Sequence, residues 1–151
     1  KELFEAISFL HNQTIPVIHS SIKTKNIFIS SEKHLKLSDG GFIGVKSCLR
    51  GHLLTNSEST PLLSKNISSI GYLAPELLNL NQKVSIQSDI YAASIVLYEL
   101  ATERIAYSDV VAPELIANLV AKGERLPIPD SVPSRFAKII VDGWQQDVEK
   151  R

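Results

Sequence analysis

The sequence predicts a mainly α-helical domain in which helices surround one buried helix, with a small β-hairpin beside them. Residues 86–102 are apolar at helical spacing and leave no clean polar face, which is typical of a helix buried nearly all round. Residues 27–29 and 35–37 are short apolar runs separated by a polar turn, and this pattern indicates a two-stranded hairpin. Residues 2–12 and 113–122 repeat apolar positions with the period of an amphipathic helix.

Signals for helix starts and ends set the boundaries of the smaller elements. The first helix is predicted to end at residue 12, before Pro16, and a short helix over 76–80 is predicted to start after Pro75. The helix over 113–122 is predicted to end at Gly123, because glycine readily adopts the backbone conformation that terminates a helix.

The last predicted helix covers residues 134–146. Ser134 is the expected cap, and Phe136, Ile140 and Trp144 are expected to face the core. Between the hairpin and the short helix, residues 42–70 lack sustained periodicity and are predicted to form a long, serine-rich loop.

Composition restricts the classes of function. The 151 residues fit one domain, and 16 basic residues balance 16 acidic ones, so strong attraction to nucleic acid or to an anionic membrane is not expected. A single cysteine, Cys48, excludes an internal disulfide and fits the reducing cytoplasm. No apolar run reaches the ~18 residues of a spanning helix, so direct membrane insertion is not expected. The chain lacks Met and begins at Lys1 within a helical pattern, which predicts a piece of a longer protein.

The polar loop between the first helix and the hairpin carries the most chemical information. Its sequence, VIHSSIKTKNIFI over residues 17–29, places His19, Ser21, Lys23 and Asn26 at fixed offsets between two apolar runs. Asp39 lies two residues after the end of the second predicted strand and precedes two glycines, which permit a bend.

Parts of this sequence also match patterns of other protein classes. Residues 20–23 contain the S-x-x-K pattern of penicillin-recognising hydrolases, but the S-D-N and K-T-G elements are absent. The glycines over 39–44 hint at a dinucleotide turn without a surrounding βαβ unit, and the histidines and Cys48 lack metal-ligand spacing. His19 could be a core histidine, Asp39 a turn residue, and Asp89 a residue that favours a helix start through the helix dipole.

Taken together, the residues resemble the C-terminal lobe of a protein kinase over the whole of 1–151. The resemblance is carried, in chain order, by His19 with Asn26, Asp39, the Ala-Pro-Glu triplet ending at Glu76, Asp89, and Trp144 with Arg151. The segments KTKNIF, YLAPEL and SIQSDIYA are similar to the Raf and kinase-suppressor-of-Ras branch. The family's usual Phe-Gly after Ala92 is replaced by Ala93-Ser94. The chain is therefore expected to be a C-lobe fragment with the N-lobe absent and the final helix truncated.

The resemblance implies a degenerate catalytic site. Ser21 occupies the position of the catalytic aspartate, which accepts the hydrogen bond and proton of the substrate hydroxyl. Lys23 matches the lysine that steadies the transferred phosphate, and Asn26 and Asp39 match the two Mg²⁺ positions. Ser69 matches the residue that contacts that lysine. Weak ATP and Mg²⁺ binding is expected only together with an N-lobe, and none for the isolated fragment.

The remaining family positions are structural or bind partners. The resemblance implies packing by His19, a tie from Asp89 to the catalytic loop, and an ion pair between Glu76 and Arg151.

It also implies docking of a downstream protein kinase through Tyr72 and the helix bearing Leu115 and Leu119. Pairing with a Raf-like kinase would use the absent N-lobe. The predicted function is a pseudokinase scaffold in a mitogen-activated kinase cascade. The alternatives are an active serine/threonine kinase that recruits another acid, and a nucleotide-gated switch.

Overall fold

A computed structural model of the protein describes residues 1–38, 67–78 and 83–151. The predicted mainly α architecture is confirmed. Its α-helices and strands are α1 (Glu2–His11), β1 (Ile27–Ile29), β2 (Leu35–Leu37), α2 (Ile67–Ile70), α3 (Ile86–Thr102), α4 (Pro113–Ala121) and α5 (Ser134–Gly143). Short 3-10 helices cover Thr24–Asn26, Pro75–Leu78 and Val148–Lys150.

The predicted hairpin is confirmed with both of its strands. β1 pairs with β2 in antiparallel register, with Ile27 opposite Leu37 and Ile29 opposite Leu35. Lys33 adopts a positive φ of 63° in the turn, and the amide of Ser30 donates to the carbonyl of His34 at 2.8 Å. The tight turn therefore fixes which residues of the two strands face each other.

The predicted buried helix is confirmed as α3. Ser85 caps its start: the Ser85 hydroxyl accepts from the amide of Ser88 at 3.1 Å, and the Ser88 hydroxyl accepts from the amide of Ser85 at 2.9 Å. Its buried residues include Tyr91, Ile95 and Val96, each 0% exposed. Leu100, in the last turn of α3, is 65% exposed although residues 86–102 were predicted to be buried nearly all round.

Two apolar clusters lie against α3. One joins α3 to α4, α5 and Pro75–Leu78, and its buried residues include Tyr98, Ile116, Val120, Ile140 and Trp144. The other joins α3 to α1 and the hairpin through Leu3, Ile7, Ile22, Ala92 and Val96. The segment before the hairpin is thus anchored on one side of the buried helix, and α4 and α5 are anchored on the other.

The predicted last helix needs three corrections. Ser134 is the first helical residue and not the cap, since Pro133 holds the cap position and makes no side-chain cap. α5 ends at Gly143 instead of residue 146, and Phe136 is 46% exposed although it was expected to face the core. Ile140 and Trp144 are buried as predicted. Because α5 is strongly amphipathic, only the residues on its face toward α3 are buried.

Other predicted boundaries shift slightly. α4 ends at Ala121, and Gly123 follows with a φ of +84°. The predicted short helix over 76–80 is a 3-10 helix in its described part, Pro75–Leu78. The predicted loop over 42–70 contains α2 at its end, and its remainder lies outside the described residues. In the described part of the chain, no helix is both long and apolar enough to cross a membrane.

Candidate functional site

Asp89 holds the polar loop that precedes the hairpin. Its carboxylate is 1% exposed and accepts hydrogen bonds from the backbone amides of His19 at 2.7 Å and Ser20 at 2.8 Å. The Nε2 atom of His11, at the end of α1, lies 2.9 Å from the same carboxylate. One buried side chain of α3 thereby joins α1, α3 and the loop.

Ser20 has a strained backbone within this loop. Its φ is 59°, in the left-handed region that a residue other than glycine rarely adopts. The bond from its amide to Asp89 holds this conformation, and its hydroxyl donates to the carbonyl of His19 at 2.7 Å. The carboxylate of Asp89 therefore compensates a conformation that Ser20 would not adopt by itself.

His19 lies in the core beneath the loop. The residue is 2% exposed, and its Nδ1 atom accepts from the backbone amide of Ser21 at 3.3 Å. This burial is consistent with the packing role implied by the family resemblance.

Ser21 and Asn26 are in direct contact. The Nδ2 atom of Asn26 donates to the Ser21 carbonyl at 2.7 Å and lies 3.0 Å from the Ser21 hydroxyl. Asn26 is 6% exposed and ends the 3-10 turn that leads into β1. Among the described residues, no carboxylate forms a hydrogen bond with either side chain. The position that the resemblance assigns to a base therefore presents a neutral hydroxyl.

Lys23 and Ser69 come together from distant parts of the chain. The ammonium of Lys23 donates to the Ser69 hydroxyl at 3.2 Å. This contact links the polar loop to α2, and it agrees with the pairing that the resemblance implies for these two positions. It leaves a cation on the same loop as Ser21 and Asn26.

The Mg²⁺ positions implied by the resemblance are only partly described. Asp39 lies outside the described residues, and so does Gly40. Asn26 fits a cation ligand, because its nitrogen is used by Ser21 and its amide oxygen is the type of hard ligand that Mg²⁺ takes. Within 1–38, 67–78 and 83–151, no group of three or more His, Cys, Asp or Glu side chains is placed to hold a metal ion.

Tyr72 forms part of a buried hydrogen-bond chain. Its hydroxyl donates to Glu99 at 2.7 Å and lies 2.9 Å from the Thr24 hydroxyl, while the other oxygen of Glu99 accepts from the Ala106 amide at 2.9 Å. Burial raises the pKa of the Tyr72 hydroxyl, and the Glu99 carboxylate raises it further. Tyr72, expected at a partner surface, is thus half-buried with its polar end engaged inside the protein.

Glu76 and Arg151 form a bidentate ion pair. The two terminal nitrogens of Arg151 lie 2.9 and 2.8 Å from the two carboxylate oxygens of Glu76. The Arg151 guanidinium also lies 5.3 Å from the ring centroid of Tyr91. The pair connects the Pro75–Leu78 turn to the end of the chain beneath α3.

The two leucines expected on the partner surface differ in exposure. Leu115 is 55% exposed, whereas Leu119 is partly buried against the core beside Ile116 and Val120. Val111, four residues before Leu115, is 87% exposed. The large apolar side chains exposed in this region are therefore Leu115 on α4 and Val111 just before the helix.

Three residues of the site were missed by the sequence analysis: His11, Thr24 and Glu99. Each acts through a contact distant in sequence, such as the 78-residue separation between His11 and Asp89. The sequence held a signal for Glu99 alone: a buried acidic residue needs a partner, and Glu99 lies in a helix predicted to be buried on nearly all sides.

The fold and site together define the C-terminal lobe of a protein-kinase-like fold. The family model for protein tyrosine and serine/threonine kinases matches residues 1–151. The chain therefore belongs to the protein tyrosine and serine/threonine kinase family.

Individual relatives agree with this assignment. The chain is 32% identical over 99% of its length to a probable serine/threonine-protein kinase, pats1, of Dictyostelium discoideum. It is 30% identical over 99% of its length to receptor-interacting serine/threonine-protein kinase 2 of Bos taurus, and 26% identical over 99% to serine/threonine-protein kinase CTR1 of Arabidopsis thaliana. It spans only 4%, 28% and 17% of the lengths of these three relatives.

Proposed function

We propose that this chain is the C-lobe of a cytoplasmic pseudokinase of the Raf and kinase-suppressor-of-Ras type. Its function is to bind other protein kinases in a mitogen-activated kinase cascade, as a scaffold. The observation that carries the proposal is the Ser21 hydroxyl, hydrogen-bonded to Asn26 at the position of the catalytic base.

The chemistry of Ser21 argues against efficient phosphate transfer. A kinase base accepts the hydrogen bond and proton of the attacking hydroxyl, and an aspartate does so with a negative charge. A serine hydroxyl is neutral and has no useful basicity near pH 7. The hydroxyl of Ser21 is moreover already within 3.0 Å of the Asn26 amide nitrogen.

The rest of the phosphate site favours weak nucleotide binding. Lys23 supplies a positive charge close to Ser69, and Asn26 supplies an amide oxygen. In the full-length protein with its N-lobe, these groups would face the phosphates of ATP and its Mg²⁺. Stabilisation by ATP with Mg²⁺ is then a matter of mass action and requires no turnover.

The proposed partner surface is the exposed apolar side of α4. Leu115 on α4 and Val111, which precedes the helix, are exposed, while Ile116 and Val120 of α4 are buried against the core. A helix anchored by one apolar face that presents further apolar side chains to solvent suits helix-mediated recognition. A downstream protein kinase is the proposed occupant, and a Raf-like kinase would pair through the N-lobe.

Affinity capture from cells with the full-length protein tests this surface. Leu115→Asp is expected to abolish recovery of protein kinases, as identified by mass spectrometry. Leu100→Asp is the matched control, because Leu100 is 65% exposed and Leu115 is 55% exposed, and both are leucines on helices. Failure of the wild type to recover any kinase, or equal recovery with both variants, contradicts the scaffold proposal.

The rival function is an active serine/threonine kinase that uses another acid. Among the described residues, Asp89 is the carboxylate that accepts hydrogen bonds from the loop backbone, and it is already occupied by two backbone amides and His11. Phosphate transfer by the full-length protein that is lost on Asp39→Ala would favour this rival.

A further inference from the structure

We propose that Arg125 is a positioning residue for the partner surface, because it holds the C-terminal end of α4 against α3 and α5. The exposed side of α4 is then presented to a partner kinase in one fixed orientation. The inference rests on the proposed function, which assigns that side of α4 to partner binding.

The two ends of α4 are held differently. Ala112 precedes the helix and makes no side-chain cap at its start. At the other end, the Nη1 atom of Arg125 donates to the Val120 carbonyl at 3.3 Å. The Nε2 atom of Gln146 donates to the Ala121 carbonyl, also at 3.3 Å. The side chains that cap α4 therefore come from outside the helix and bind its last turn.

Backbone amides pair with the remaining carbonyls of this turn. The amide of Lys122 donates to the Asn118 carbonyl at 3.0 Å, and the amide of Glu124 donates to the Leu119 carbonyl at 2.9 Å. The last four carbonyls of a helix have no partner within the helix itself. With the two side-chain bonds, all four terminal carbonyls of α4 are paired, and the outermost contacts belong to a different part of the chain.

Arg125 joins this end of α4 to the end of α5. Its Nε atom donates to the carbonyl of Trp144, the residue directly after α5, at 2.9 Å, and its Nη2 atom donates to the Oε1 atom of Gln146 at 2.7 Å. A guanidinium carries its donors in a rigid plane and can bind acceptors in several fixed directions, whereas a lysine presents one compact ammonium. The placement of α4 beside α5 therefore depends on the shape of the guanidinium as well as on its charge.

The buried helix α3 fixes the Arg125 guanidinium in turn. The guanidinium carbon lies 5.4 Å from the ring centroid of Tyr91, which is 0% exposed, and a cation over an aromatic ring at this distance is attracted to it. Arg151, which is paired with Glu76, contacts the same ring at 5.3 Å. The centre of the domain thus determines where Arg125 lies, and Arg125 determines where α4 ends.

Hydrogen–deuterium exchange of the full-length protein, together with capture of protein kinases from cells, tests the inference. Arg125→Lys keeps the charge and removes the planar group. Exchange at the amides of residues 122–124 is expected to become about tenfold faster, because at least one charge-assisted hydrogen bond is lost. Recovery of protein kinases, identified by mass spectrometry, is expected to fall severalfold. Arg135→Lys is the matched control and is expected to behave as the wild type, because Arg135 is an exposed arginine on α5.

A second control separates positioning from general stability. Ile7→Val removes one methylene from a residue that is 1% exposed in the apolar cluster between α3 and α1. This change is expected to lower the midpoint of urea denaturation and to leave kinase recovery at the wild-type level. An equal loss of recovery in Ile7→Val would show that Arg125→Lys acts through stability alone, and it would overturn the inference.

Leu115→Asp separates failure of the inference from failure of the proposed function. If Leu115→Asp abolishes kinase recovery while Arg125→Lys leaves recovery or exchange unchanged, the positioning role is wrong and the partner surface stands. If the wild type recovers no kinase, or Leu115→Asp recovers as much as the wild type, the proposed function is wrong and the inference fails with it.

Discussion

Gly143→Ala introduces a methyl group at the contact between α5 and α3. A Cβ built at Gly143 overlaps the Ser94 hydroxyl oxygen and lies 3.1 Å from the Ser94 Cβ and 3.5 Å from Ile90. Ser94 stands where the family resemblance predicts a glycine. The larger residue at 94 fits because residue 143 lacks a side chain.

Two opposing effects decide the sign of this change. Replacing a helical glycine with alanine gains at most ~1 kcal/mol from backbone propensity. Overpacking costs about 1–3 kcal/mol, and rotating Ser94 breaks its 2.9 Å hydrogen bond to the Ile90 carbonyl, at about 1 kcal/mol more. The net expectation is a loss of about 2 kcal/mol in the free energy of unfolding, or roughly 4–8 °C in Tm for a protein of this size.

A double-mutant cycle measured by urea denaturation isolates the clash. Ser94→Ala removes the overlapping oxygen. In that background, Gly143→Ala is expected to change the free energy of unfolding by no more than about 1 kcal/mol, which gives a coupling energy between the two positions of about 1.5–2 kcal/mol. Equal destabilisation by Gly143→Ala in both backgrounds would refute the packing argument.

Three further changes test other parts of the structure. Asp89→Asn is expected to lower the free energy of unfolding in urea by about 3 kcal/mol or more, since an amide cannot accept all three bonds made to the buried carboxylate; a loss below 1 kcal/mol would contradict this. The hydrogen bond from the Leu35 amide lowers the pKa of Glu2 in the folded protein. The stabilisation of the fold by this bond is therefore complete above the ordinary glutamate pKa, and it is lost as the pH falls through the lowered folded-state pKa. Glu2→Gln is expected to remove the fall in Tm that protonation of Glu2 causes at low pH. A curve of Tm against pH that is the same in the variant and the wild type would disprove this role of Glu2. Tyr72→Phe is expected to cost about 2 kcal/mol by thermal melting, and the control Tyr98→Phe under 1 kcal/mol because its bond is long, at 3.3 Å; equal costs would argue against the Tyr72 chain.

The elements predicted well are those whose apolar pattern lies within one continuous stretch of the sequence. α3 and the hairpin were predicted with the observed bounds, because a continuous apolar segment and two apolar runs around a polar turn depend little on distant partners. α5 was predicted less well. Its contact with Ser94 at Gly143 and the exposure of Phe136 depend on how the helix packs in three dimensions, which no local pattern reveals.

In the candidate site, too, the residues close together in sequence were predicted and those that act through distant contacts were not. Ser21, Lys23 and Asn26 lie within six residues and were recognised from their spacing. His11 and Glu99 were missed, because their roles arise from contacts with residues 78 and 27 positions away. Buried polar groups of this kind are chosen by tertiary packing, and a single sequence does not pair them.

Phosphate transfer by the purified full-length protein, measured with isotopically labelled ATP, tests the central claim most directly. With a serine hydroxyl at position 21, we predict no transfer above background for the wild type and for Asn26→Ala. Transfer at an ordinary kinase rate of about 1–100 s⁻¹ that disappears in Asn26→Ala would contradict the claim that this kinase fold has lost its base.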